Sequence, residues 1–464
     1  MLFHSPVFLF WFLPLALLGS AVLRRHRMVF LLLSSYVFYM WWNPLFLPLL
    51  IFSTALNFWI GKGVARGSGA RSGRRWMTAG IMLNLLLLGF FKYQFMIAET
   101  VTGLTGIAVP TIGIGLPLAI SFFTFEGISY LVDVYKGATP AKNFLAFGCF
   151  MSFFPHLIAG PIIRFPAIAP QLSRPSNEEQ APALSGVEGY GPAVLRAEGM
   201  YRFVLGLSKK VLLADTLALI ADPIFAAGPA STTQAWLGLL AYTFQIYLDF
   251  SSYTDMAIGI GLLFGIRLPE NFETPYFAVS ITDFWKRWHI TLSLWIRDYL
   301  YIPLGGSRRS APRVALNFII VMTLAGLWHG AAWTFVLWGL YYGILLALER
   351  FLMLDVLKKF PVTLQRCWTF LLVTCGWVLF RSPSIGDAGE YFWMMLSGRS
   401  GDALPWWMIV PVVIAALWIA LERRVPKKPS AFSLPLGLGF AVLTCVSVLI
   451  ALGSESSPFI YFQF

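Results

Sequence analysis

The sequence predicts an all-α, polytopic membrane protein, and three observations carry that prediction. Of its 464 residues, 58% are hydrophobic and only 12% are charged, about half the charge of a soluble domain. Apolar runs near the roughly 20 residues that span a bilayer recur from end to end. No polar stretch between them is long enough to build a water-soluble core of its own. We therefore expect one membrane domain over residues 1–464, with about 11 to 13 helical elements, some re-entrant or interfacial.

In chain order, residues 7–22 read as a first span. It ends at Arg24, Arg25 and Arg27, and charge that follows the apolar run suits a start-transfer helix better than a cleaved signal. Residues 28–40 and 45–60 read as a pair joined by the turn WWNP, whose Trp41 and Trp42 suit a membrane interface. Lys62, Arg66, Arg71, Arg74 and Arg75 follow among Gly and Ser, so that loop is expected on the cytoplasmic side. Residues 77–97 and 112–131 form a second out-and-back pair that returns to Lys136 and Lys142. Residues 173–198, Pro/Ala/Gly-rich and carrying Glu178, Glu179 and Glu188, read as a loop.

If every basic cluster faces the cytoplasm, the N-terminus lies outside. The later segments keep that parity, with Lys358 and Lys359 inside, Asp387, Glu390 and Asp402 outside, ERRVPKK inside and a final span ending outside. No internal repeat is visible, which weighs against an inverted-repeat transporter.

Composition also narrows the function classes. The net charge of +12 sits in short clusters between apolar runs, as loops obeying the positive-inside rule require, so we expect no nucleic-acid partner. Cys149, Cys367, Cys375 and Cys445 lie in apolar stretches without CxxC spacing, which reads as buried small hydrophobes and no metal site. The chain lacks GxxxxGK[ST], HExxH and GxSxG, the local signatures of nucleotide hydrolysis, zinc proteolysis and a nucleophile elbow.

The candidate chemistry gathers in residues 285–330, which hold two of the five histidines, His289 and His329. Imidazole is the side chain poised to move protons near neutral pH. As a helix, residues 284–299 place Trp285, Trp288, Leu292, Trp295, Ile296 and Tyr299 on one stripe and Arg287, Thr291 and Asp298 opposite, with His289 at the edge. Such a helix lies along the cytoplasmic interface, either as an anchor with a boundary histidine or as part of a site. In YIPLGGSRR, a Gly-Gly turn beside Arg308 and Arg309, with Arg297 before it and Arg313 after, offers donors for a phosphorylated group, although a positive-inside loop needs the same residues.

His329, next to Trp328, lies between the apolar runs 315–328 and 331–348. Together they are short for two spans, so it is expected near the apex of a membrane-embedded hairpin facing a polar cavity or a partner. The two histidines thus read as two separate places, His289 at the cytoplasmic face and His329 deeper. Asp249 and Asp255 bracket DFSSYTD between the runs 242–248 and 256–264, where they either orient a histidine or pair at helix ends, with Tyr253 beside them. His156, in FFPHLIAGPIIR, suits packing more than chemistry, and His4 and His26 read as incidental.

Seven segments carry a resemblance. SFFTFEGISYLVDVY, FFPHLIAGPIIR, YTFQIYLDFSSYTDMAIGIG, RLPENFETPY, ITDFWKRWHITLSLWIRDYLYIPLGG, AGLWHGAAWTFVLWG and PFIYFQF, in that order over most of the chain, resemble the membrane-bound O-acyltransferase family, and within it the alginate O-acetyltransferase branch. SSYTDM departs mildly from a more usual SGYSDM. The resemblance implies acyl transfer across the membrane around a central channel, in the inner membrane of a bacterium. His329 and His289 match the two active-site positions, while Asp249, Tyr253, Asp255 and Trp328 match channel or support positions. It also implies acetyl-CoA as donor with no permanently bound cofactor, a periplasmic acetyltransferase partner, and a polysaccharide acceptor such as alginate. Peptidoglycan or another glycan as acceptor, and a non-catalytic transporter of an acetylated or anionic solute, are the competing expectations.

Overall fold

The computed structural model describes residues 1–172, 192–427, 434–453 and 458–460 of the chain. Those residues form helices and turns, with no strand among them. The all-α expectation therefore holds. The loop expected over 173–198 lies outside the described residues as far as 191, and from Pro192 the chain is helical.

The first helix, α1 (Phe8–Val22), meets α2 (Arg27–Met40) at a sharp bend of 103° through Arg24–His26. The WWNP turn behaves as expected, with Asn43 accepting from the Leu45 N–H ahead of α3 (Leu47–Arg66). α4 (Arg71–Thr105) runs for 35 residues, about 50 Å. The span expected over 112–131 is shorter than that: residues 107–119 carry Pro110, Gly113, Gly115 and Pro117 and form no helix, so α5 covers Ile120–Tyr135.

There follow α6 (Phe144–Ser152), α7 (Phe154–Leu157), α8 (Phe165–Leu172), α9 (Pro192–Ser208), α10 (Asp215–Ala227) and α11 (Thr232–Leu263). α12 (Ile281–Arg287), α13 (Ile290–Ile296), α14 (Ala311–His329), α15 (Trp333–Leu348) and α16 (Leu354–Leu357) come next. The chain continues with α17 (Val362–Arg381), α18 (Ile385–Leu396), α19 (Trp406–Glu422) and α20 (Leu434–Gly453). Among the described residues, four helices are long and apolar enough to cross a membrane, at Pro44–Arg66, Arg71–Thr105, Ala311–His329 and Val362–Arg381, and the bent α1–α2 pair makes a fifth if it is one span.

The chain divides into two compact units. One comprises Met1–Gly206, Tyr253–Pro269 and Lys428–Pro458, the other Leu207–Ser252, Glu270–Lys427 and Phe459–Phe464. In the first, α3 packs on α4 and α5, and the Asn57 and Asn84 amides donate to each other at 3.1 and 2.8 Å inside the contact. In the second, α14 and α15 close a hairpin whose backbones nearly touch. A methyl group on Gly326 would sit 2.1 Å from the Phe335 carbonyl oxygen, and one on Gly339 would sit 2.2 Å from that of Met322. Small residues at such crossings let membrane helices pack without a hydrophobic drive.

Candidate active site

His329 is the last residue of α14, and Gly330–Ala332 turn the chain into α15. The expected hairpin apex is therefore its position. One detail differs: α14 starts at Ala311, ahead of the apolar run, and at 19 residues it is long enough to cross a membrane by itself. The His329 ring lies 5.0 Å from Trp328, 5.2 Å from Trp338 and 5.4 Å from Phe380, centroid to centroid. Only 6% of the residue is exposed. An aromatic pocket of this kind excludes water from the imidazole and holds its plane.

His289 is placed differently from the expectation. The amphipathic helix read over 284–299 is broken. α12 ends at Arg287, Trp288 is extended, His289 takes a left-handed backbone (φ +44°, ψ +55°), and α13 starts at Ile290. A left-handed residue with a side chain costs about 1–2 kcal/mol, so something must hold it there. The holder is the segment Asn271–Glu273. Its carbonyl at Asn271 accepts the Ile290 N–H at 2.9 Å, and the Glu273 N–H donates to the Arg287 carbonyl at 2.9 Å. Glu349 caps α12 by accepting the Ile281 and Thr282 N–H groups at 2.5 and 3.0 Å. The break turns His289 inward, to 1% exposure instead of the edge of a surface stripe.

The Asn271 side chain then settles which nitrogen of His289 carries the proton. Asn271 Oδ1 accepts from the Thr291 N–H at 3.2 Å and the Thr291 hydroxyl at 2.9 Å, and it lies 3.1 Å from His289 Nδ1. A backbone N–H can only donate, so the amide atom facing all three is oxygen, and Nδ1 must be the N–H of the ring. Nε2 keeps a lone pair. It can take a proton, accept a hydrogen bond or attack an acyl carbon, and it cannot donate to a carbonyl. Burial lowers the His289 pKa to about 3, so the ring is neutral across the physiological range.

The two histidines share a wall. The His289 ring lies 6.3 Å from the Trp328 ring whose other neighbour is His329. The two places read from the sequence thus meet on one indole, because the inward break at His289 carries it off the surface stripe.

The support residues divide. Asp249 and Asp255 both lie inside the single 32-residue helix α11, not at the ends of two runs. Six residues along a helix turn about 240°, so they face different surroundings. Asp249, in the second unit, lies 2.7 Å from Lys210 Nζ and accepts the Ile460 N–H at 2.7 Å. Lys210 also lies 2.8 Å from Asp215. Asp255, in the first unit, is paired with Arg202, and Tyr253 stacks on Phe3 at 4.8 Å.

Of the arginines, Arg297 is paired with Asp298 at 2.6 Å. Arg308 and Arg309 are exposed after the positive-φ turn Gly305–Gly306, available to an anionic group. The sequence reading passed over Asn271, Glu349, Lys209 and Lys210. Lys209 lies 3.0 Å from Ser251 and 3.3 Å from Glu422, which also accepts from the Tyr247 hydroxyl at 2.5 Å. Two adjacent lysines inside the apolar LGLSKKVLLA were the available signal for that network.

Residues 140–379 match the model of the membrane-bound O-acyltransferase family, which takes in both histidines. The chain belongs to that family. It is accordingly an O-acyltransferase and a multi-pass membrane protein, which leaves the non-catalytic transporter reading without support. The chain is 40% identical to the probable alginate O-acetylase AlgI of Pseudomonas putida over all of both chains. It is 45% identical to the probable alginate O-acetylase AlgI of Azotobacter vinelandii, over 86% of this chain and 78% of that one. It is also 38% identical to the peptidoglycan O-acetyltransferase of Helicobacter pylori, over 84% of this chain and 78% of that one.

Proposed function

We propose that the chain, acting as one acyltransferase domain in a bacterial inner membrane with both termini outside, passes acetyl groups from cytoplasmic acetyl-CoA to an exopolysaccharide such as alginate. A periplasmic acetyltransferase receives or relays the group. The observation that carries this reading is that the His289 and His329 rings both neighbour Trp328, at 6.3 and 5.0 Å. His329 takes the proton of the attacking hydroxyl as its oxygen bonds to the acetyl carbon, and the carbon–sulfur bond of the thioester breaks. The proton then passes to the departing thiolate, so the imidazole returns neutral. The lone pair on His289 Nε2 suits it to attack that carbon and accept the acetyl group, or to accept a hydrogen bond from the acceptor hydroxyl. Arg308 and Arg309, and Arg297 if it leaves Asp298, suit the phosphates of the donor.

The test is a liposome reconstitution with labelled acetyl-CoA outside and polysaccharide or partner protein inside. Free CoA with labelled ester is the expected result; movement of an intact solute without ester sinks the proposal. The similarity to the H. pylori peptidoglycan O-acetyltransferase supports peptidoglycan as a second acceptor, and ester analysis of both polymers from cells with and without the gene separates the two.

A further inference from the structure

We propose that the α3–α4 corner of the first unit is a binding site for one anionic phospholipid of the surrounding bilayer. The basic charge there has no acidic partner among the described residues. No Asp or Glu occurs in the chain before Glu99, while Lys62, Arg66, Arg71, Arg74 and Arg75 crowd the end of α3 and the start of α4. None of the five forms an ion pair with a described residue. The positive-inside rule accounts for the sign of this charge, but not for the cavity beneath it.

A groove of about 470 Å³ runs along the two helices. It is walled by Phe52, Leu56, Trp59 and Trp76 and edged by Lys62 and Arg66. A second cleft of about 550 Å³ lies along the first turns of α4 and is lined by Arg71, Arg74, Arg75 and Thr78. Both fall within the roughly 300–1,000 Å³ of small-molecule sites. Phe52, Trp59 and Trp76 are 55%, 63% and 51% exposed, an apolar wall that water would not favour and an acyl chain would. The Lys62 ammonium lies over the Phe58 and Trp59 rings at 4.3 and 4.9 Å, a pairing of cation and aromatic ring that suits a bilayer interface. An apolar groove edged by Lys62 and Arg66, with a guanidinium-lined cleft on the adjoining first turns of α4, matches a molecule with an acyl chain and a phosphate, and each basic residue adds electrostatic affinity for such a headgroup.

Native mass spectrometry of the detergent-solubilised full chain tests this with phosphatidylglycerol and phosphatidylcholine at equal concentration. We expect phosphatidylglycerol to be retained at one per chain. The Arg71→Gln, Arg74→Gln, Arg75→Gln variant should bind it at least about tenfold more weakly, with phosphatidylcholine unchanged. Ala55→Trp, which fills the groove and leaves every charge in place, should weaken it as well. Equal retention of the two lipids, or unaltered binding by either variant, overturns the proposal. So does displacement of phosphatidylglycerol by free CoA, which would assign the cations to the acetyl donor. The readout does not involve acetyl transfer, so it stands or falls separately from the proposed reaction.

Discussion

His156 and His289 are equally buried, and the atoms facing their Nδ1 differ. Each is 1% exposed. In the first unit, His156 Nδ1 lies 3.0 Å from a carboxyl oxygen of Glu126; in the second, His289 Nδ1 lies 3.1 Å from the amide oxygen of Asn271. A carboxyl group can carry the charge or the proton that an imidazole gives up, whereas an amide does neither. His156 is held by the Glu126 carboxyl, which also accepts from the Ile163 N–H. His289 keeps its proton on Nδ1 and holds a lone pair ready on Nε2. Burial alone does not set what a histidine can do; the chemistry of the atom behind it does.

The largest effect should come from His329, whose ring is enclosed by Trp328, Trp338 and Phe380. His329→Ala should lower acetyl transfer by roughly 10²–10⁴-fold, the usual worth of a general base, with membrane expression intact. A well-folded variant at full activity removes His329 from the mechanism. Next comes His289→Gln, which keeps hydrogen bonding but loses the imidazole lone pair. We expect a fall of about a hundredfold, and if His289 carries the acetyl group, label trapped on the wild-type chain disappears from this variant.

Asn271→Asp gives His289 the kind of partner His156 has, and its effect is a change in pH dependence. Beside a carboxylate the His289 pKa rises from about 3, because an adjacent negative charge favours the imidazolium. The neutral ring is then present only above the raised pKa. Activity of the variant should drop as pH falls through that value, while His289 imposes no such acid limb on the wild type above about pH 4. Superimposable profiles would mean that Asn271 does not govern the charge of His289. The smallest effect on turnover belongs to the first unit. His156→Gln should leave kcat within about twofold yet lower the unfolding temperature, since breaking a buried pair costs roughly 3–5 kcal/mol; a large kcat loss at unchanged stability would make His156 a participant.

How much of this was legible beforehand follows the range of the interactions involved. The α14–α15 hairpin was readable because its two runs are adjacent in sequence and His329 is the polar residue at their junction. The break at His289 was not. Residues 284–299 satisfy a helical stripe throughout, and the force that overrides it is Asn271, 18 residues upstream. Lys210 is likewise 39 residues from Asp249, a separation that no local pattern reports. Asp249 and Asp255 left two readings open, orienting a histidine or pairing at helix ends, because each borders an apolar run; the single helix α11 makes both interior and turns them apart.

By itself the sequence determined the helical class and the membrane setting and singled out His289 and His329 as candidates, because apolar composition, run length and motif are local properties that survive in one dimension. The tertiary structure decided what those histidines can do. A tautomer, a water-excluded ring and a shared indole depend on which distant atom is brought within about 3 Å, and that is settled only when the chain has closed around it.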